Sequence, residues 1–373
     1  MEFDRSVPPP LWEMGYWGVT VQRWREQGLS EFKGDLPKGR LPGKSVSGLP
    51  VMADSEGKNL VRLEPSSERF PGNYWIWPEF EPRILEQRGS WQLMVDEMGV
   101  KMEVSLEGSA PRYHSWPVST REDWERFRAE RFDAKAPGRY PPNMDRVIED
   151  YRDREVPLGI GTWVGFYGSL RYLMGTERLM TGYYDEPELV RIIIADLLAF
   201  WKEVFAPVLS RIRVDRFGMW EDMCYNHGPL ISPELFREFM LPAYKELTAF
   251  VKSFGVKNVI LDTDGNCWKL IPLFVEGGVT GLLPFEVAAG MDVREVRERY
   301  PRLQILGGID KKAVIRGGAA IDEEIEARVP GMLGHGGYVP FLDHLVPPDI
   351  SLQSFIDYRE RLANLIESRF GDT

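Results

Sequence analysis

The chain has 373 residues, 43% of them hydrophobic and 28% charged, which is the composition of an ordinary globular protein. Its net charge of −11 is not offset by any basic stripe, so nucleic acid is not an expected partner. No apolar run approaches the roughly 20 residues that cross a bilayer. The first residues lack a secretion signal, and the two cysteines cannot build a disulfide framework, so we expect a protein of the reducing cytoplasm.

Residues 1–150 differ in pattern from the rest of the chain. Residues 11–14 follow three prolines and predict the opening of a strand, and a helix is expected through residues 21–24. Residues 33–58 are rich in Gly, Pro, Lys and Ser and predict a loop.

Strand-like alternation recurs between residues 59 and 118, with turns at Gly89-Ser90 and Met98-Gly99. The predicted strands cover residues 75–77, 83–87, 91–95 and 101–105. This pattern indicates an antiparallel β-meander inserted near the mouth of a barrel. A lid and a plain flap that protects a sheet edge are both open interpretations.

A helix start is predicted at Thr120, and from Val156 onward the signals are those of alternating strands and helices. Thr120 is an expected N-cap, residues 158–160 predict a strand, apolar spacing predicts a helix over 186–212, and Ser232-Pro233 predicts a helix start. Further helices are expected at 267–277, 293–300, 322–333 and 351–367. Repeated βα units imply a parallel sheet, and no Gly-x-Gly-x-x-Gly follows a strand. We therefore expect an α/β fold, a (β/α)8 TIM barrel forming one domain over residues 1–373.

Polar clusters follow five of the predicted strands, at the point where each strand ends. They are Trp220-Glu221-Asp222, Asp262-Thr263-Asp264-Gly265-Asn266, Phe285-Glu286, Gly308-Ile309-Asp310 and Asp343-His344. Residues at the carboxyl ends of barrel strands converge on one site. The pattern predicts a catalytic mouth lined by carboxylates and one histidine.

Asp262 and Asp264 form the densest acidic site. Alternate residues of an extended segment point the same way, so both carboxylates are expected to face one atom. The alternative is an Asx turn that caps the following helix. Glu221 and Asp222 are adjacent and project in opposite directions, so one of them is expected to face the mouth. Glu286 and Asp310 are single acids, open to roles as a base, a ligand or a helix cap.

His344 is one of four histidines. A neutral imidazole there would bind a divalent metal, act as a general acid or donate a hydrogen bond to an anionic substrate. The alternative is a buried histidine whose hydrogen bonding is satisfied by Asp343.

Three segments of the second half carry a family resemblance. They are Ser232-Pro233-Glu234-Leu235-Phe236 through Leu241-Pro242, the turn Gly307-Gly308-Ile309-Asp310, and Gly337-Tyr338-Val339 through His344. In these segments the chain resembles the uroporphyrinogen decarboxylase superfamily, whose fold is a (β/α)8 barrel. The superfamily contains decarboxylases of a tetrapyrrole and methyltransferases that use a corrinoid carrier.

For the decarboxylases, the resemblance implies that His344 stands at the late histidine, Tyr172 at the tyrosine and Asp222 at the serine. Their arginine-rich N-terminal loop has no counterpart, because residues 14–18 contain no arginine. A polyanionic substrate in an acidic mouth is disfavoured without that clamp.

For the methyltransferases, the resemblance places Asp262, Asp264 and His344 where coenzyme M enzymes bind zinc through His-x-Cys and a late Cys. Glu221 or Glu286 would complete such a ligand shell. We therefore expect a methyltransferase that moves a methyl group from a methylated or methoxylated small molecule to a corrinoid protein, with zinc as Lewis acid. A cofactor-free decarboxylase using His344, Tyr172 and Asp222 or Asp264 is the first alternative. A non-enzymatic binder of a corrinoid or tetrapyrrole is the second.

Overall fold

The computed structural model describes residues 3–29, 45–46, 62–63, 68–105, 111–161 and 163–371. The chain divides into two compact units. The first takes in the described residues within Met1–Ser66, Asp264–Asn266 and Gly281–Thr373, and the second those within Ser67–Thr263 and Cys267–Thr280. No helix among the described residues is long and apolar enough to cross a membrane.

The second unit contains four parallel strands and a separate antiparallel sheet. The parallel strands are Glu68–Arg69, Leu158–Ile160, Arg216–Trp220 and Asn258–Asp262. The antiparallel strands are Arg83–Arg88, Trp91–Val95, Lys101–Ser105 and Arg112–Ser115, and a short hairpin joins Cys224–Tyr225 to Gly228–Pro229. The helices are Arg121–Arg131, Met144–Asp150, Phe166–Met174, Thr176–Asp185, Pro187–Leu209, Pro233–Leu235, the π-helical Phe236–Met240, Leu241–Ser253 and Ile271–Glu276.

The core of the second unit lies between its parallel strands and the helix Pro187–Leu209. Trp201, Phe205 and Phe217 are fully buried, and the rings of Phe205 and Phe217 meet edge to face at 5.2 Å. Aromatic pairs of this kind stabilise a core beyond the apolar area that they bury. Phe217 therefore projects from its strand toward the helix, and its strand neighbours project to the opposite face.

The first unit contains three parallel strands, a short antiparallel pair and the C-terminal helices. The parallel strands are Gly281–Leu283, Gln304–Leu306 and Tyr338–Val339, and Tyr16–Trp17 pairs with Ser45–Val46. The helices are Gly18–Glu26, the 3₁₀ turn Val287–Ala289, Val293–Arg299, Lys311–Arg316, Ala319–Leu333 and Leu352–Phe370.

A buried ion pair ties the N-terminal segment of the first unit to its last helix. Glu13 and Arg359 are 5% and 0% exposed, and Arg359 Nη1 lies 2.9 Å from Glu13 Oε1. The Tyr358 hydroxyl also donates to Glu13, and the Leu342 backbone N–H donates to its other oxygen. Burial raises the pKa of Glu13, although the charge of Arg359 opposes that shift. All three donors are needed because a buried carboxylate is stable only when it is paired and hydrogen-bonded.

Most of the predicted elements are confirmed. The α/β class, the antiparallel sheet and the strand ends that carry the polar clusters are present. Thr120 caps its helix in a capping box with Asp123, and Ser232 accepts from the Leu235 N–H. Closure into an eight-stranded barrel, the single-domain organisation and the position of the meander near a mouth stay predictions.

Two of the predicted strands were wrong. Residues 75–77 form bends, because consecutive Trp75 and Ile76 are both buried instead of alternating. Residues 11–14 are not a strand either, since the Trp12 N–H bonds to Pro10 O and Glu13 is directed into its ion pair; the first strand is Tyr16–Trp17. The predicted loop over residues 33–58 lies outside the described residues, apart from the strand at Ser45–Val46.

The variant Arg359→Met is expected to lower the free energy of unfolding by about 3–5 kcal/mol, because it leaves the Glu13 carboxylate buried without its cation. Urea denaturation measures this change. The double variant Glu13→Gln/Arg359→Met should be more stable than Arg359→Met alone. Arg361→Met is the matched control on the same helix, since Arg361 pairs with Asp322 and donates to Gly318 O at the surface, and its loss should cost about 1 kcal/mol. Equal losses in Arg359→Met and Arg361→Met would contradict this interpretation.

Candidate functional site

Three of the predicted site residues come together in the first unit. Asp264, Glu286 and His344 each offer one ligand atom, and these atoms all lie within 4.8 Å of one another. His344 Nε2 is 3.2 Å from Asp264 Oδ2, and the Gly265 N–H donates to Glu286 Oε2 at 2.9 Å. The three side chains are 20–30% exposed, so they are reachable from solvent.

The backbone around Glu286 is held in an unusual conformation. Phe285, directly before it, has φ of 61°, which is a strained value for a bulky residue. Phe285 is buried, so packing against its ring maintains the strain. Gly307 approaches the same loop so closely that a Cβ there would lie 2.3 Å from Pro284 O. This contact explains why the turn after strand Gln304–Leu306 begins with glycine.

Asp343 connects three strand-end loops. It is fully buried and accepts hydrogen bonds from the Val287 N–H at 2.9 Å and from the Lys311 N–H at 3.2 Å. Lys311 Nζ lies 3.1 Å from Asp343 and 3.8 Å from Glu286. In the alternative interpretation Asp343 was the partner of His344, but His344 hydrogen-bonds with Asp264.

The environment of His344 favours its protonated form. Burial is the largest single influence and lowers the pKa of His344. The hydrogen bond to Asp264 and the charges of Asp264 and Glu286 together outweigh burial, so the net pKa is raised above 6.5. In the absence of another cation, an imidazolium at His344 compensates the two carboxylates.

The donor set fits a divalent cation. Asp264 Oδ1 is buried and has no hydrogen-bond partner among the described residues, although its other oxygen contacts His344. A buried acceptor without a donor is costly, and a bound cation would satisfy it. Two carboxylates and one imidazole are ligands that zinc accepts in catalytic sites.

Glu221 lies in the second unit and is completely buried. Its carboxylate accepts from the Phe166 and Gly168 backbone N–H groups at 2.8 and 2.7 Å and from the Tyr244 hydroxyl. It therefore caps the N-terminus of helix Phe166–Met174, where a negative charge is favourable. Burial raises the pKa of Glu221 to about 7, and these hydrogen bonds limit the rise. Its predicted catalytic role stays a prediction.

Asp222 and Tyr172 lie among aromatic and basic groups of the second unit. The Arg171 guanidinium donates to the side chain and to the backbone carbonyl of Asp222, both at 3.1 Å, and stacks over the Trp220 ring at 5.1 Å. The Tyr172 ring is 5.3 Å from Trp220 and 5.7 Å from Trp163. Burial raises the pKa of Tyr172, so its hydroxyl stays protonated at neutral pH.

Asp262 ends strand Asn258–Asp262 in the second unit, in register with Trp220. Its inclusion in one ligand set with Asp264, Glu286 and His344 stays a prediction.

Sequence reasoning missed Arg171 and Lys311. Lys311 directly follows the strand-end cluster that ends at Asp310, and that position was the available signal.

These features define a class: an α/β protein with parallel strands whose carboxyl ends carry acids and a histidine. The sequence profile of the uroporphyrinogen decarboxylase family matches residues 92–360. The chain belongs to this family. No curated protein matches the chain.

Solved structures that are similar to the chain include the following two. A methyltransferase from Methanosarcina mazei is 14% identical over 97% of this chain and 94% of its own, with a TM-score of 0.54. An L-ribulose 3-epimerase is 12% identical over 69% of this chain and 92% of its own, with a TM-score of 0.34. At these identities the likeness to the methyltransferase supports the fold alone.

In protein treated with a chelator, NMR titration should give His344 a pKa above 6.5, and Asp264→Asn should lower it. Because the folded pKa is raised, the stabilisation from this pair is full below pH 6.5 and is lost as the pH rises through the folded value. Asp310→Asn is the control, because asparagine still caps helix Lys311–Arg316. An unchanged His344 titration in Asp264→Asn would refute the pairing.

Glu221 should make the protein less stable as the pH rises from 4.5 to about 7, because its folded pKa exceeds the unfolded value. The full effect is on the order of 3 kcal/mol. Glu221→Gln keeps an acceptor for the helix N–H groups and should remove this part of the pH dependence. Urea denaturation across this pH range measures it, with exposed Glu203→Gln as the control. An unaltered pH profile in Glu221→Gln would show that another group is responsible.

Proposed function

We propose that this protein is a methyltransferase that moves a methyl group from a methylated or methoxylated small molecule to a corrinoid protein. Membership of the uroporphyrinogen decarboxylase family supports an enzyme. The observation that carries the proposal is the cluster of Asp264, Glu286 and His344, in which Asp264 Oδ1 lacks a donor. We place a divalent cation, zinc by the proposal, on these three side chains, and include Asp262 as a further ligand. A closed (β/α)8 barrel is part of the same proposal.

A cation at this site would supply Lewis-acid polarisation of the atom that loses its methyl group. Hydrogen bonds within the chain hold the side chains that would bind this cation. Asp264 orients the His344 ring through Nε2, and the Gly265 N–H fixes Glu286. Lys311 neutralises the buried charge of Asp343, which leaves the carboxylates of Asp264 and Glu286 as the negative groups nearest to His344.

Protonation of His344 competes with cation binding, because an imidazolium has no lone pair to offer a metal. The raised pKa of His344 therefore implies that cation affinity increases as the pH rises above 6.5.

A cofactor-free decarboxylase is the second candidate, and the surroundings of Tyr172 favour it. A protonated tyrosine, two tryptophan rings and the Arg171–Asp222 pair form a mixed aromatic and charged surface in the second unit. Such a surface suits a flat acid better than it suits a metal. Release of carbon dioxide from aryl or pyrrole acetates without any corrinoid would favour this candidate.

The metal is tested by elemental analysis of purified protein and by zinc titration at pH 6 and pH 8. We expect about one zinc per chain, tighter binding at pH 8, and at least tenfold weaker binding in Asp264→Asn, Glu286→Gln and His344→Gln. Asp310→Asn should bind zinc as the native protein does, because that acid serves as a helix cap.

Methyl transfer is tested separately, by following the absorbance of cob(I)alamin with a panel of methoxylated aromatic compounds. Formation of methylcobalamin that the three ligand variants lose and Asp310→Asn keeps is the expected result. Absence of zinc, together with activity that resists chelators, would rule out the metal part of the proposal.

A further inference from the structure

The second unit contains a cleft with a cavity volume of about 280 Å³, at the carboxyl ends of strands Glu68–Arg69 and Leu158–Ile160. Aromatic side chains and one arginine dominate its lining, which includes Arg69, Phe70, Tyr74, Trp75 and Trp163. The cleft is slightly smaller than the size range of small-molecule sites, which is about 300–1,000 Å³. A single substituted ring fits this volume, and a macrocycle of four rings does not.

Two arginines share one face of the strands beside this cleft. Arg69 is in register with Gly159, and Gly159 is in register with Arg216. Residues in register on neighbouring parallel strands project to the same face, and Gly159 puts no side chain between the two arginines. Phe217 packs toward the helix, so Arg216 projects to the opposite face of its strand.

One N–H donor of the half-buried Arg216 lacks a partner. Its Nε is buried and has no hydrogen-bond partner among the described residues. Arg139, which is buried in this unit, instead donates to four backbone carbonyls. A guanidinium offers five N–H donors. A buried donor without a hydrogen-bond partner is an exception, and a bound ligand would supply that partner.

The charges around Arg216 favour an anion with a single negative charge. Burial, together with the positive charge of Arg69, lowers the pKa of Arg216 to about 10, and Asp262 opposes both. Two arginines and one aspartate leave roughly one net positive charge, which matches a carboxylate better than a phosphate dianion.

A further donor lies in the lining of the cleft. Trp75 Nε1 is buried and has no hydrogen-bond partner among the described residues. The backbone also comes very close here, since a Cβ on Gly161 would lie 2.5 Å from Gly218 O. The cleft therefore has one unsatisfied donor in its lining, Trp75 Nε1, and Arg216 Nε is a second unsatisfied donor on the strand face beside it.

We propose that this cleft binds a small aromatic carboxylic acid, with its carboxylate held by Arg69 and Arg216 and its ring against Trp75 and Trp163. Guanidinium groups bind carboxylates through paired hydrogen bonds, and aromatic walls accept a flat ring. This site is independent of the methyl transfer proposed above, because it requires neither the metal nor a corrinoid.

Calorimetric titration with benzoate at pH 7, with no metal or corrinoid added, tests the site. Benzoate should bind, and neutral benzamide should bind at least tenfold more weakly. Arg216→Gln and Arg69→Gln should each weaken benzoate binding by about 10- to 100-fold, the range for a lost hydrogen bond to a charged group. Arg213→Gln is the matched control, because Arg213 is exposed, pairs with Asp215 and lies just before the same strand.

Three results would overturn the proposal: no benzoate binding by the native protein, equal affinity for benzamide, or unchanged benzoate affinity in folded Arg216→Gln. Tighter binding of phenyl phosphate than of benzoate would overturn the assignment to a carboxylate. If Arg216→Gln does not fold, exposed Arg69→Gln and the comparison of benzoate with benzamide still decide the question. Loss of zinc binding in the Asp264→Asn variant should leave benzoate binding unchanged, so the two proposals fail separately.

Discussion

The candidate site of the first unit depends on one buried carboxylate, Asp343. It has no exposed surface, and its oxygens accept from the backbone of two other strand-end loops and from Lys311 Nζ. The Asp343 N–H in turn donates to Ile309 O at 2.8 Å. An ionised carboxylate is stable in such a place only when every oxygen has a donor. The positions of Glu286 and His344 follow from this constraint, because both side chains stand next to groups that Asp343 fixes.

A second buried carboxylate supports the same segment from its other side. The Leu342 N–H donates to Glu13, which Arg359 and Tyr358 also bind. The backbone directly before Asp343 is thus tied to the N-terminal segment and to helix Leu352–Phe370. A ligand set needs positions held to within a fraction of an ångström, and rigid supports around it provide this precision.

Part of this arrangement was predictable from sequence. Apolar runs followed by acids mark strand ends, and the carboxyl ends of neighbouring parallel strands converge, so Glu286 and His344 were expected near one another. Such runs do not predict the register of the strands or their order in the sheet. The alignment of Arg69, Gly159 and Arg216 depends on which strands are neighbours, and sequence reasoning therefore passed over both arginines. The strand predicted over residues 75–77 was wrong for a related reason, because tertiary burial of Trp75 and Ile76 overrode their strand-like composition.

The pairs at two strand ends show a common division of roles. At Glu221-Asp222 and at Asp343-His344, the first residue is fully buried and satisfied by backbone donors, and the second is partly exposed. The backbone turns within both pairs, with φ of 45° at Asp222 and a bend at Asp343-His344, so one pair can both brace a loop and leave its second side chain partly exposed. The sequence predicted opposite directions for Glu221 and Asp222 without saying which residue faces inward. Burial decides this, because the residue that finds backbone N–H donors is the one that can leave water. Asp343 and Glu221 are thus the members fixed by backbone donors, and the prediction that His344 and Asp222 contact a ligand concerns the two partly exposed members.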